Sequence, residues 1–195
     1  MITARALSTL SSCLVVVSLI AFVFFSSSDK NLFSLEAEKG VVEDLSCVSS
    51  IEERVVRGNS LTDLIESDET VKILLGYYSC NEVKRGDIIA YNFSGDKNPI
   101  IKIVKGLPGD KFHLQKTEGG WNILINGEVL KNSQSQPYLL GEDGYRMLSL
   151  YERDYKGAIP ANAYLILGNL ESGSLDSTRF GLVGKSDLLG KVLLP

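Results

Sequence analysis

Hydrophobic and polar positions divide the chain into two regions of different character. Residues 6–25 read ALSTLSSCLVVVSLIAFVFF, an uncharged run long enough for a helix to cross the ~30 Å hydrocarbon core of a bilayer. From residue 51 onward, short hydrophobic runs alternate with turn residues, a pattern typical of β-strands. The pattern predicts an N-terminal segment (1–28) with a transmembrane helix at about 6–25, a polar tether (29–50) and a mostly β domain (51–195).

A cleaved signal peptide is the alternative interpretation of the N-terminal run, because the small residues Ser26 and Ser28 follow it. The hydrophobic regions of signal peptides usually span only ~7–15 residues, and Arg5 is the single charged side chain before this run. We therefore expect an anchor. Lysines and arginines are nearly balanced across the run, so the positive-inside rule gives little information about its orientation.

The region after the tether predicts a series of short strands joined by turns. Asn126-Gly127 is the usual signature of a two-residue β-hairpin loop, and Pro108-Gly109 suits the centre of a type II turn. The segment RMLSLYERDY is the one stretch that suggests a helix. We expect a sandwich-like or barrel-like domain. The predicted strands lie in EERVV, TVKILLGYY, GDIIAYNF, PIIKIV, KFHLQ, WNILI, AYLILGN and GKVLL.

Composition and charge exclude several classes of function. The net charge is −4 and no basic cluster is interleaved with aromatic residues, so no nucleic acid is expected as a partner. The single histidine and the lack of a CxxC pair argue against a metal site, and no GxGxxG or Walker-type loop suggests a nucleotide. No cofactor is therefore expected. Of the 3 cysteines, Cys47 and Cys80 lie after the apolar run, and they either form a disulfide or remain as buried thiols.

Two residues are unusual for their surroundings. Ser60 lies in a turn, RGNSLTDLI, where a serine usually only bonds nearby backbone groups. Lys102 lies inside the apolar run PIIKIV, either on an edge strand with its amine in solvent or buried with a lowered pKa. A neutral lysine can act as a general base for a serine nucleophile. A Ser-His-Asp triad that uses His113, the only histidine, is the other arrangement that the sequence permits.

Several segments, in this order along the chain, carry a resemblance to a known family. They are VVRGNSL around Ser60, VKRGDIIAYN, IKIVKGLPGD around Lys102, INGEVL, and LILGNLESGSLDSTRFGLV. Together with the N-terminal run, they resemble the boxes of type I signal peptidases, which are membrane-anchored Ser-Lys serine proteases. The resemblance implies a signal-peptidase-like domain of short coiled β-sheets with one N-terminal transmembrane helix, and makes 51–195 the catalytic domain.

The resemblance also assigns roles to individual residues. It implies that Ser60 is the nucleophile and Lys102 the general base, while Ser174 orients the lysine amine. Gly58 lies where some members supply a serine hydroxyl to the oxyanion hole, and Asp176 has a supporting structural role. The implied substrates are secretory precursors with small residues at the −1 and −3 positions. Membrane lipid is the other implied partner, with one membrane pass and the catalytic domain on the extracytoplasmic side.

The chain departs from the family pattern at several positions. Asp63 stands in place of a proline, which alters the nucleophile box. Thr178 stands in place of an arginine, and Arg179 comes one residue later, so the ion pair expected for Asp176 is in doubt. The remaining substitutions are Leu61 for methionine, Asn169 for aspartate, Leu170 for asparagine and Glu171 for arginine.

These departures leave alternatives to a general signal peptidase. A specialised conjugative-transfer or pilin-maturation peptidase would use the same Ser-Lys dyad. A catalytically degenerate, anchored binding protein would keep the fold without turnover. A self-cleaving repressor-type protein is disfavoured by the apolar N-terminal run and by the lack of a DNA-binding helix pair in the sequence.

Overall fold

Short antiparallel strands make up most of the regular secondary structure in the described part of the chain, as the alternating pattern predicts. The computed structural model describes residues 43–93 and 98–195. The strands of the larger sheet are β1 (Ser50–Val55), β2 (Thr70–Leu75), β3 (Ile88–Tyr91), β4 (Ile100–Gly106), β9 (Ala163–Leu167), β10 (Val183–Gly184) and β11 (Leu188–Leu193). They lie in the spatial order β1-β2-β11-β3-β4-β9-β10, so β1 is an edge strand and β4 is an inner strand.

A second sheet contains four strands, and its hairpin is the one that the sequence predicts. Ile125 pairs with Glu128 across the loop Asn126-Gly127, and both loop residues have positive φ (54° and 87°). Such a loop matches the twist of the flanking strands, which is why Asn-Gly is favoured there. The strands are β5 (Phe112–Thr117), β6 (Gly120–Ile125), β7 (Glu128–Val129) and β8 (Leu139–Leu140).

Helical structure is limited within the described residues. Helix α1 (Glu142–Asp154) contains most of the predicted helical stretch but begins earlier, with Glu142 and Asp143 favourably placed in its first turn. Leu148, on its inner face, is fully buried. The other helical segments are the short helix α2 (Ser177–Phe180) and the 3-10 turns Tyr77–Ser79 and Lys185–Asp187.

The run TVKILLGYY is not one continuous strand. Strand β2 ends at Leu75, because Gly76 adopts a left-handed conformation (φ 80°) and the chain then forms a 3-10 turn. A Cβ at position 76 would lie 2.7 Å from the carbonyl oxygen of Cys47, so glycine is needed for this close approach. Cys47 and Cys80 form a disulfide, the first of the two states that the sequence allows.

The described part of the chain does not include the predicted anchor. The run 6–25 and tether residues 29–42 lie outside it. Across 43–93 and 98–195, no helix has both the length and the hydrophobicity needed to cross a membrane.

Candidate active site

The turn that carries Ser60 follows β1 and is fixed to the core by apolar side chains. The N–H of Thr62 donates to the carbonyl oxygen of Asn59 at 3.2 Å. The N–H of Ile65 donates to the carbonyl oxygen of Leu61 at 2.9 Å. Leu61 and Ile65 are almost completely buried in the cluster that packs against the larger sheet. Ser60 itself is half-buried, so its hydroxyl is held in place but can still be reached.

Two residues of this turn have left-handed backbone conformations that explain its sequence. Gly58 has φ 85°, a value that glycine adopts without strain. Asp63 has φ 72°, and its N–H donates to Glu66 Oε1 at 3.1 Å. Proline can neither adopt this φ nor donate this hydrogen bond. A proline at position 63 would therefore require a turn of different local geometry.

Lys102 lies on the inner strand β4 and is buried, with the residue only 4% exposed. Its Nζ donates to Ser60 Oγ at 2.9 Å and to the carbonyl oxygen of Ile101 at 2.9 Å. Desolvation lowers the pKa of Lys102 from 10.5 to about 8, although the negative charge of Asp176 acts in the opposite direction. The edge-strand interpretation of Lys102 is therefore wrong, and the buried interpretation is the one that matches the structure.

Asp176 is completely buried, and none of the described arginines is its partner. One carboxylate oxygen accepts from the N–H of Thr178 (3.0 Å) and from its hydroxyl (2.7 Å). The other oxygen accepts from the N–H of Gly168 (3.0 Å) and from the hydroxyl of Ser174 (2.7 Å). Arg179 instead lies 3.6 Å from the exposed Asp143. Thr178 therefore supplies two hydrogen bonds to one oxygen of this buried carboxylate, while Gly168 and Ser174 supply those to the other.

Ser174 does not make the contact that the resemblance implies. Its hydroxyl donates to Asp176, whereas the Lys102 amine bonds to Ser60 and Ile101. Since Asp176 in turn raises the pKa of Lys102, Ser174 is linked to the lysine only through that carboxylate.

Gly168 and Asn169 are site residues that sequence reasoning did not assign a role. A Cβ at Gly168 would lie 2.5 Å from Ser174 Oγ and 2.8 Å from the Ser60 carbonyl oxygen, so only glycine lets the two segments approach. Asn169 is 2% exposed, and its N–H donates to the Ser60 carbonyl oxygen at 2.6 Å. The only sequence signal for Asn169 was its departure from the family's aspartate.

His113 lies on β5 and its side chain is 64% exposed. Its Nδ1 is 2.6 Å from Glu152 Oε1, which places it in a surface pair with α1. The structure therefore brings Lys102, and not His113, to the Ser60 hydroxyl.

A cleft of about 550 Å³ opens beside Ser60 and Lys102. One wall is the end of β1 and the chain that follows it, and the other is the start of β4. No group of three or more His, Cys, Asp or Glu residues in the described part of the chain could hold a metal ion. The cleft is lined by Arg54, Val55, Val56, Arg57, Ser60, Leu61, Ile73, Asn98, Pro99, Ile100, Ile101 and Lys102.

Comparisons with known proteins point to one family. The family model "Signal peptidase, peptidase S26" matches residues 41–195. The chain is 25% identical over 148 residues to a signal peptidase IB of Staphylococcus aureus, covering 70% of this chain and 73% of that protein. It is 28% identical over 141 residues to a signal peptidase I of Bacillus caldolyticus, covering 71% and 75%.

A solved signal peptidase I from Enterococcus faecalis V583 is 22% identical, with a TM-score of 0.41, and the match covers 58% of this chain and 98% of that chain. The family match extends over far more than half of the chain and includes every described site residue. The expectation of a signal peptidase I-type serine endopeptidase is thereby confirmed at the level of the family. The chain belongs to the signal peptidase family, peptidase S26.

Proposed function

We propose that this protein is a membrane-anchored serine endopeptidase that removes signal peptides from secretory precursors by means of a Ser60–Lys102 dyad. The observation that carries the proposal is the 2.9 Å separation of Lys102 Nζ and Ser60 Oγ. Burial lowers the pKa of Lys102 to about 8, so about a tenth of the lysine is neutral at pH 7 and about half at pH 8. A hydroxyl with a neutral amine at hydrogen-bonding distance is the arrangement that activates a serine nucleophile.

In this mechanism, Ser60 Oγ attacks the scissile carbonyl carbon while its proton passes to Lys102 Nζ. The intermediate collapses with cleavage of the C–N bond, and the lysine gives the proton to the leaving amine. Lys102 then deprotonates a water molecule that attacks the acyl ester. The new carboxyl end is released when Lys102 returns this proton to Ser60 Oγ. The lysine ends each cycle in its starting state.

The oxyanion of each tetrahedral intermediate needs hydrogen-bond donors. Gly58 has no hydroxyl to offer, and its positive φ is unfavourable for a serine at that position. We assign the role to the backbone N–H of Ser60, which makes no hydrogen bond to another described residue. Ser174 and Asp176 act indirectly, because the buried carboxylate offsets part of the desolvation of Lys102.

The cleft supports a peptide substrate with small residues near the scissile bond. Val56, Leu61, Ile73 and Ile101 give it apolar walls, and they suit small side chains at the −1 and −3 positions. The proposed substrates are therefore secretory precursors. An anchor at 6–25 would confine enzyme and precursor to the same lipid surface, with 29–50 as a tether and 51–195 as the catalytic domain.

We place the catalytic domain on the extracytoplasmic side of a single-pass membrane protein. The disulfide between Cys47 and Cys80 supports this side, since disulfides persist in oxidising compartments. No feature of the described residues favours a degenerate binding protein or a conjugative-transfer or pilin-maturation peptidase.

Replacement of the proposed base tests the dyad directly. We expect Lys102→Arg to lower kcat/KM by at least ~10²–10⁴-fold, because arginine remains protonated and cannot accept the serine proton. Ser60→Ala should be equally defective and should not react with an acylating active-site probe. Lys72→Arg makes the same change on an exposed strand position and should cleave a secretory precursor in detergent at the wild-type rate.

Melting curves of all variants separate lost chemistry from lost folding. Substantial cleavage by a folded Lys102→Arg protein would contradict the Ser-Lys mechanism. Failure of the wild-type protein both to cleave and to react with the probe at Ser60 would favour a binding protein with a degenerate site.

A further inference from the structure

Asn169 directly follows Gly168, just beyond the end of β9, and all of its polar groups are engaged although it is buried. Its N–H donates to the Ser60 carbonyl oxygen at 2.6 Å. Its side-chain Nδ2 donates to the carbonyl oxygen of Thr62 and to Ser133 Oγ, both at 2.7 Å. Its Oδ1 accepts from the N–H of Ser133 at 2.9 Å, and its carbonyl oxygen accepts from Asn132 Nδ2 at 3.2 Å.

Two of these bonds hold the turn that carries the nucleophile. They end on the carbonyl oxygens of Ser60 and Thr62, on either side of Leu61. The hydrogen bonds within the turn are local and fix its shape but not its position relative to β4. Asn169 therefore supplies a polar link between the nucleophile turn and the sheet that also carries Lys102.

The other contacts of Asn169 fix which way its amide faces. The N–H of Ser133 can be satisfied only by the Oδ1 side, which leaves the Nδ2 side toward the Thr62 carbonyl oxygen. An aspartate at this position would have no donor there, and its second oxygen would face a carbonyl oxygen. The residue that the family usually carries is thus incompatible with the hydrogen bonds of this turn.

We propose that Asn169 is a positioning residue that holds Ser60 within reach of Lys102 through its side-chain amide. The inference rests on the proposed function, in which the 2.9 Å separation of Ser60 Oγ and Lys102 Nζ is the catalytic geometry. Asn169 touches neither the substrate nor the reacting atoms in this scheme, and it acts through the backbone of the turn.

The isosteric variant Asn169→Asp tests this role in the full-length protein. We expect kcat to fall by ~10–100-fold while KM changes by less than about 3-fold, since a misplacement of about 1 Å at a reacting group can cost 10²-fold in rate. The rate of Ser60 acylation by an active-site probe should fall in parallel. Asn122→Asp makes the same chemical change on β6, where no described residue forms a hydrogen bond with the side chain, and should leave both rates unchanged.

Asn169→Ala is the companion variant, because it removes the donor without adding a carboxylate, and it should show the same selective loss of kcat. Wild-type kcat and acylation rate in a folded Asn169→Asp or Asn169→Ala protein would overturn the proposal. If neither variant folds, or if KM rises as much as kcat falls, Asn169 is a general structural residue and the assignment is also overturned. Absence of probe reaction at Ser60 in the wild type would instead contradict the proposed function.

Discussion

Lys102 is unfavourable for folding but suits the chemistry proposed for it. Its ammonium group is buried on an inner strand, and desolvation is the main cause of its lowered pKa. The buried carboxylate of Asp176 limits this effect, so the pKa falls to about 8 and not further. The sequence places a lysine among apolar residues, and the structure adds the carboxylate that keeps its pKa within a useful range.

The pKa of Lys102 predicts the pH dependence of cleavage. Only the neutral amine can accept the Ser60 proton, so kcat/KM should rise about 10-fold per pH unit below the pKa and level off above about 8. Initial rates with a fluorogenic precursor peptide, measured from pH 6 to 10, check this. A profile that is flat across pH 7 to 9 would indicate that no group with this pKa controls the reaction.

At the level of single residues, the sequence identifies part of the candidate site but not all of it. Ser60 and Lys102 were identifiable because each is unusual for its immediate neighbours. Asn169 was not, because its role depends on Thr62, which is 107 positions away in sequence. Gly168 was missed for a similar reason, since the need for glycine arises from the close approach of Ser60 and Ser174 in space.

Among the secondary-structure elements, local patterns predicted which segments form strands. They did not predict where each strand ends or which strands it pairs with. The Asn-Gly hairpin between β6 and β7 is specified by the backbone preference of its own loop. In contrast, β2 ends where Gly76 meets the backbone of Cys47, and β11 inserts between β2 and β3. Both features depend on distant segments, and hydrophobic periodicity carries no information about them.

The disulfide constrains the elements on either side of the proposed nucleophile, Ser60. Cys47 and Cys80 are 33 residues apart, and the loop they close contains β1, the Ser60 turn and β2. Since β1 is an edge strand of the larger sheet, it is hydrogen-bonded along one side only. In the chain-entropy account, a disulfide that closes a loop of this length stabilises the folded protein by about 3–4 kcal/mol.

Loss of the disulfide should therefore lower stability without removing the dyad. We expect the Cys47→Ser, Cys80→Ser double variant to melt about 10 °C below the wild type. Below its melting temperature, this variant should still react with the active-site probe at Ser60. An unreduced, denatured wild-type protein should titrate one thiol, Cys13, out of 3 cysteines. Three titratable thiols would contradict the disulfide.

At the scale of the whole molecule, the candidate site forms where three distant parts of the chain meet. These parts are the turn at 59–65, strand β4 and the segment 168–178. Hydrogen bonds join the turn to β4 and to the segment, and a further one within the segment binds the buried carboxylate of Asp176. The loop that carries Ser133, between β7 and β8, contacts the same place through Asn169. Groups attached to both sheets therefore help to fix the position of the Ser60 hydroxyl.

The proposed role of the N-terminal run as an anchor can be tested on the full-length chain. If residues 6–25 are an anchor, the mature protein retains Met1 or the residue after it and remains with membranes during carbonate extraction. The expectation follows from the length of the uncharged run, which exceeds the ~7–15 residues usual in a signal peptide. Extraction of the full-length chain from a membrane fraction, followed by mass spectrometry of its N-terminal peptide, measures both properties.

A mature N-terminus near Asp29 would show that the run is cleaved and would contradict the anchor. Cleavage there would also alter the proposed mode of action, because the enzyme would then have to find membrane-bound precursors from solution. With the anchor intact, enzyme and precursor share one surface, and their encounter requires no prior binding step. The anchored enzyme should accordingly cleave a precursor reconstituted in the same vesicles faster than one held in separate vesicles at equal total concentration.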